Sequence, residues 1–303
     1  MYHFWWSGIP TGKEVLSMEH LSQVWKIARR RLLTPKLLLY TAVLFSASFK
    51  FNAPLRALIL ELNYPVTWCL FPFMCSMPYY LALISFGVLY IHSDVPFMQM
   101  ENMYATIRVG RGTWLWGQIC GIFLRSVLAV AVAVGCSYAN LVPYIELSGQ
   151  WGRMASTIAN TSVGYEANLY YYFWDQAMLV VSPFRLMALN VVVVVLLAFF
   201  LGLLLFFVSL HFGKPAGALT GVLMYFGLIT FLNTFPYLEQ TVSWFVPMSW
   251  AMLVKAFAPR MGYWILPPLS YIFSFLIVGS VSLCIILSIR VNRIEFDWER
   301  EDT

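Results

Sequence analysis

Residues 186–210 read LMALNVVVVVLLAFFLGLLLFFVSL. The run carries no charge, and its strongly polar positions are Asn190 and Ser209. The hydrocarbon core of a bilayer takes about 20 residues of helix, so this segment is long enough to cross it with tilt. Working outward, further apolar runs lie at 37–51, 79–92, 116–138, 218–235 and 266–289. The expected fold is therefore all-α: a polytopic membrane protein with about six transmembrane helices. Residues 37–51 are short for a crossing and need extending, back to Leu32 or forward past Lys50.

Composition agrees. Of 303 residues, 60% are hydrophobic and 11% are charged, against about 25% charged in an average soluble domain. Aromatic residues reach 17%, as expected where Trp and Tyr collect at membrane interfaces. The formal net charge of +5 is assigned to loops held near anionic lipid, not to nucleic acid. With the N-terminus inside, 12 of the 19 basic residues fall in inner segments, six in outer ones, and Arg125 within a span. That bias places both termini in the cytoplasm and the chain in the plasma membrane as a multi-pass protein. The chain is expected to form one transmembrane domain: a cytoplasmic region 1–36, a six-span region 37–291 and a cytoplasmic tail 292–303. The first long apolar run begins near Leu37 behind a basic stretch, which is not the pattern of a cleavable leader. Five cysteines lack zinc-ligand spacing, although Cys69 and Cys75 leave a local disulfide open.

Several segments stand apart from the spans. Leu21, Val24, Trp25, Ala28 and Leu32 recur near a helical period over residues 19–33, alongside Lys26, Arg29, Arg30 and Arg31. A basic amphipathic helix of this kind is expected to lie on the inner leaflet. Residues 52–77 hold Pro54, Pro65 and Pro72 yet stay apolar, which suggests a segment packed against the membrane or dipping into it. The aromatic cluster Tyr165, Tyr170, Tyr171, Tyr172, Phe173 and Trp174 reads first as an interfacial belt, with a substrate exit or a dimer cap as the alternatives. Residues 236–264 read as an interfacial or re-entrant helix around the amphipathic stretch 249–257. Arg125 is the one clear intramembrane charge. Such a residue marks function by default, unless it snorkels to the nearby interface.

The loop 94–117, DVPFMQMENMYATIRVGRGTWLWG, is long for a turn. Residues 101–109 can form a short helix, with Gly110 and Gly112 to end it. The pattern SDVPF…N.Y…IR.GR..W..GQI resembles the loop between spans two and three of type-two ATP-binding cassette exporter permeases, particularly small bacterial ones. In that family a basic elbow helix precedes span one, and a short coupling helix after span two docks on the ATPase. The family's R..R..W..G signature is matched here by Arg108, Arg111, Trp114 and Gly117. The resemblance covers most of the chain as architecture but only residues 93–119 as a motif, and the outer segment 143–183 is longer than in simple members. It implies an ATPase-coupling set of Met98, Glu101, Asn102, Tyr104, Arg108, Arg111 and Trp114, and an elbow carrying Trp25, Lys26, Arg29, Arg30 and Arg31. It also implies two kinds of partner, a cytoplasmic ATP-binding cassette subunit and a second permease copy or homologue.

The chain itself holds no G-x-x-x-x-G-K-[ST] motif, so no cofactor is expected on it and ATP belongs to the partner subunit. No catalytic constellation is evident, and the expectation is a transport subunit without enzymatic activity of its own. Its cargo would be hydrophobic or amphipathic: a peptide, lipid or drug-like molecule. The alternative is a membrane scaffold or sensor subunit that binds a partner through its outer segments. An ion-coupled carrier is disfavoured by the lack of acidic residues within the spans.

Overall fold

The computed structural model describes residues 18–29, 32–94, 106–259 and 262–291. In chain order α1 spans Met18–Arg29, α2 Pro35–Phe51, α3 Ala53–Leu62, β1 Val66–Thr67, α4 Phe71–Cys75, α5 Pro78–His92 and α6 Arg111–Ser137. A 3-10 turn at Val142–Tyr144 leads into β2 (Ile145–Glu146), followed by α7 (Gly152–Asn160), α8 (Val163–Glu166) and α9 (Asp175–Val180). Then come α10 (Pro183–Phe212), α11 (Lys214–Leu232), α12 (Pro236–Ser243), 3-10 turns at Pro247–Ala251 and Leu253–Ala256, and α13 (Leu269–Arg290).

Proline opens many of these helices. Pro35, Pro78, Pro183, Pro215 and Pro236 each occupy the first or second helical position. There the fixed φ suits the helix and the missing N–H is one that had no partner anyway. Thr34 adds a cap on α2, its hydroxyl accepting from the Leu37 amide at 3.4 Å. Gly110, at φ 88°, separates a helical stretch at 106–109 from α6, a backbone angle that costs a glycine nothing.

Among the described residues, four helices are long and apolar enough to cross a membrane: α6, α10, α11 and α13. The bent pair α2 and α3, turned by 43° at its break, makes a fifth if it counts as one span. The apolar α5 has 15 residues. All six expected runs are thus helical, with shifted limits. α6 starts at Arg111, five residues before the expected span, and so encloses Gly112, which does not end the preceding helix. α11 starts at Lys214, because Pro215 initiates a helix that Gly213 alone separates from α10. Gly213 has φ 87°.

The core is centred on α10, which packs against α5, α6, α11, α13 and the irregular segment 247–256. Of its most apolar stretch 56% is buried, against 22% for α11 and for α13. A second, smaller cluster lies along α6, α10 and α13 and includes Trp114, Ile122, Phe206 and Leu287.

Segments expected at an interface fold inward instead. The stretch 249–257 is not an amphipathic surface helix: Ser249, Trp250, Leu253 and Val254 have no exposed area. In the 165–174 cluster, Tyr171 and Phe173 are buried while Tyr165, Tyr170 and Tyr172 are exposed. Two of the six are core, then, Trp174 is half-buried, and three are available to an interfacial belt. Parallel pairing of Val66 with Ile145 and Thr67 with Glu146 joins the 64–70 connection to this end of the bundle. Cys69 and Cys75 are buried free thiols, so the disulfide left open by the sequence is not formed.

Candidate functional site

The site is built where α1, α5, α6 and α10 meet. α1 makes its main contact with α6, and the sequence of α6 explains why. Gly117 and Gly121 lie one turn apart on the face that receives α1. A Cβ at Gly117 would come within 2.7 Å of Ile27 Cγ2, and one at Gly121 within 3.4 Å of the Ala28 carbonyl oxygen. Two glycines four residues apart let helix backbones approach this closely. Ala28 is 4% exposed, whereas Trp25 is 53% exposed and Leu21 56%. The apolar face read from the sequence is therefore divided: its Ala28 edge docks on α6, and its Leu21 and Trp25 edge faces outward. Lys26 and Arg29 are exposed beside it. Arg30 and Arg31 lie outside the described residues.

Arg125 sits two helical turns further along α6. It is 4% exposed, enclosed by protein instead of reaching out to an interface. Its Nε donates to the Gly121 carbonyl at 3.3 Å. A Cβ built at Gly121 would lie 3.8 Å from Arg125 Nη2 and 3.4 Å from the Ala28 carbonyl oxygen. The guanidinium accordingly stands beside the last turn of α1, where a helix carries partial negative charge. The snorkelling reading of Arg125 is replaced by that of a buried cation beside the Gly121–Ala28 approach of α6 and α1.

The residue after it, Ser126, connects α6 to α5. Its hydroxyl donates to the Ile122 carbonyl at 2.9 Å and faces His92 Nε2 at 3.3 Å. The other ring nitrogen of His92, Nδ1, lies 2.8 Å from the Val88 carbonyl, which fixes the proton on Nδ1 in the neutral ring. His92 closes α5 at a span end, where solvation is easy to reach, yet it has no exposed area. The cause is Gly202 on α10: any Cβ there would fall 2.6 Å from His92 Cδ2 and from Ile122 Cγ2. The sequence gives one sign of this, a single glycine inside an otherwise bulky apolar run.

His92 also lines a cavity of about 240 Å³ between α5, α10 and α11. Its walls are Phe86, Leu89, Leu205, Val222 and Tyr225, with Ser93 and Ser209 as polar points. At one end Lys36 Nζ donates to Ser93 Oγ at 2.6 Å and pairs with Asp94. The same ammonium stands 4.9 Å from the Tyr90 ring centroid.

The seven residues of the coupling set are divided by the structure. Arg108 and Arg111 are exposed. Trp114 has no exposed area and its ring centroid lies 6.2 Å from that of Phe206, so it packs the core beneath them. Met98, Glu101, Asn102 and Tyr104 lie outside the described residues. No group of three or more His, Cys, Asp or Glu that could hold a metal ion occurs among the described residues. In comparisons with protein families, curated proteins and solved structures, the chain matches none.

Proposed function

We propose that the chain is the membrane-spanning permease subunit of an ATP-driven exporter of the type-two ATP-binding cassette class. It works as a pair of permease copies or homologues with cytoplasmic ATPase subunits, and it moves a hydrophobic or amphipathic cargo outward. The observation that carries this reading is the basic end of the bundle. Arg108 and Arg111 are exposed at the start of α6, while Lys26 and Arg29 are exposed on the helix docked further along it. A rigid helix with cations at its entrance suits the reception of force from a soluble partner. Counting α2 with α3, α5, α6, α10, α11 and α13 as six spans keeps both ends on that same, cytoplasmic side. On this reading α1 is the elbow, and the segment 97–113 carries the motion that follows ATP binding.

The test is purification of the tagged full chain from its native membrane in mild detergent, followed by mass spectrometry. A stoichiometric ATPase subunit is expected, and the double variant Arg108→Glu/Arg111→Glu is expected to lose it. A clean preparation without any nucleotide-binding partner would overturn the exporter reading. It would favour the second one, a scaffold or sensor subunit. That reading draws support from the folded 139–181 region, which presents Tyr165, Tyr170 and Tyr172 outward.

A further inference from the structure

We propose that the cavity between α5, α10 and α11 is a binding site for one single-chain zwitterionic amphiphile, its tail among the helices and its headgroup at Lys36 and Asp94. Three observations converge on it.

The first is shape and lining. The walls are almost wholly apolar, and the polar groups Ser93 and Ser209 lie at sparse points. An apolar cavity with a few placed polar groups is the usual form of a small-ligand site. Its volume of about 240 Å³ equals that of roughly eight waters in the liquid. That suits one alkyl tail better than two.

The second is the route in. Phe86 is 56% exposed and Val222 63%. Both line the cavity, and both turn their outer sides to the surroundings of an apolar helix bundle. A molecule already dissolved in the bilayer reaches the opening directly, whereas one in water does not.

The third is charge. Lys36 and Asp94 present one charge of each sign, and Lys36 touches two lining residues, Ser93 by a hydrogen bond and Tyr90 by its ring face. A phosphate joined to an ammonium can exchange partners with such a pair, satisfying both charges. A bare carboxylate meets Lys36 but is repelled by Asp94. The site stands whether or not the chain exports anything, since neither Arg108 nor Arg111 lines it.

Gly221 allows a direct test. A Cβ there would sit 3.6 Å from Leu205 Cδ2 and 3.9 Å from Leu89 Cδ2, an ordinary contact, so a larger side chain is accommodated only by filling the cavity. The full chain is purified into nanodiscs and exposed to a monoacyl phosphoethanolamine carrying a diazirine at the end of its tail. After irradiation, labelled peptides are mapped by mass spectrometry. Labelling is expected within 86–93 and 217–225, and to fall about tenfold in Gly221→Leu, the effect of displacing about two buried methylenes. Val278→Leu, on the exposed face of α13, leaves it unchanged. Leu89→Ala, which enlarges the cavity, retains or raises labelling, so a folding failure of Gly221→Leu does not decide the matter. Asp94→Asn removes the negative charge and shifts competition about tenfold toward a free fatty acid. Labelling spread equally over α11 and α13 and indifferent to Gly221→Leu or Leu89→Ala would mean ordinary surrounding lipid and overturn the site. Equal competition by both amphiphiles before and after Asp94→Asn would overturn the headgroup assignment.

Discussion

The two ends of the bundle are held together by different means. At the end that contains residues 139–181 and 236–258, much of the backbone is irregular and buried. Side chains satisfy it. Asn52 donates to the carbonyls of Ser137 and Ala139 at 2.9 and 3.2 Å, and accepts from the Tyr171 hydroxyl at 2.8 Å. Trp151 donates to Met178, Asn190 to Ala251 and Trp250 to Ser243, each at 2.8 or 2.9 Å. At the opposite end, helices meet through glycine contacts, one buried arginine and the Lys36–Asp94 pair. Irregular backbone in apolar surroundings needs a donor for each buried carbonyl, because an unmet group costs about 1–3 kcal/mol. Long regular helices need none, which frees the other end to carry exposed charge and to change its packing.

The largest effect expected from this contrast is at Trp250. Its side chain is fully buried, its ring lies 5.2 Å from Phe275 and its indole holds the Ser243 carbonyl. Trp250→Ala should cost about 3–5 kcal/mol, read as a large drop in the thermal midpoint of the detergent-solubilised chain. A drop no greater than that of an exposed-site variant such as Tyr165→Ala would dissolve the distinction between the ends.

Next comes the glycine groove. Gly117→Leu should push α1 away from α6, since even a Cβ intrudes on Ile27, with a cost of about 1–3 kcal/mol. Disulfide cross-linking between cysteines placed on α1 and α6 should fail in this variant and persist in Gly121→Ala, where the intrusion is slight. Equal cross-linking in both would show that the glycines do not set the approach of α1.

The smallest effect concerns Cys69. Burial pushes its thiol up to about 12 from the ordinary 9, so at pH 8 it stays protonated and a maleimide should leave it unmodified in the folded chain. The sign of the stability effect follows from the raised value. The stabilisation is complete below the unfolded thiol's pH of about 9 and is lost as pH climbs toward 12. Rapid alkylation at pH 8 would show that this end opens readily.

Much of the helical layout was legible in the sequence, because apolar length and proline punctuation are local signals. The six runs became helices, and α1 formed where a basic amphipathic period was read. What failed to show depends on contacts between distant residues. Nothing local distinguishes the buried 249–257 stretch from an amphipathic surface helix, since its burial comes from α10, α11 and α4 and from the rings of Tyr271 and Phe275. The division of Tyr171 and Phe173 from Tyr170 and Tyr172 follows an alternation that the packing of Asn52 and Phe73 decides. Arg125 was singled out correctly as unusual, but its surroundings were not, because the carbonyl it accompanies belongs to a helix almost a hundred residues earlier. The burial of His92 had only Gly202 to betray it.

The unequal lengths of α5 and α10 have a consequence for the bilayer itself. At 1.5 Å per residue, the 15 residues of α5 extend about 22 Å and the 30 of α10 about 45 Å, around a hydrocarbon core of about 30 Å. Side by side, one falls short of the membrane's thickness and the other overshoots it. The fully buried α4 stands at the N-terminal end of α5, so protein fills part of the missing span. Where α5 is counted as a span, lipid that meets its exposed Tyr79 and Phe86 has to thin to match it. Hydrophobic mismatch then makes this flank the one most responsive to acyl-chain length: short-chain lipids relieve it and long-chain lipids strain it, by a fraction of a kcal/mol for each ångström.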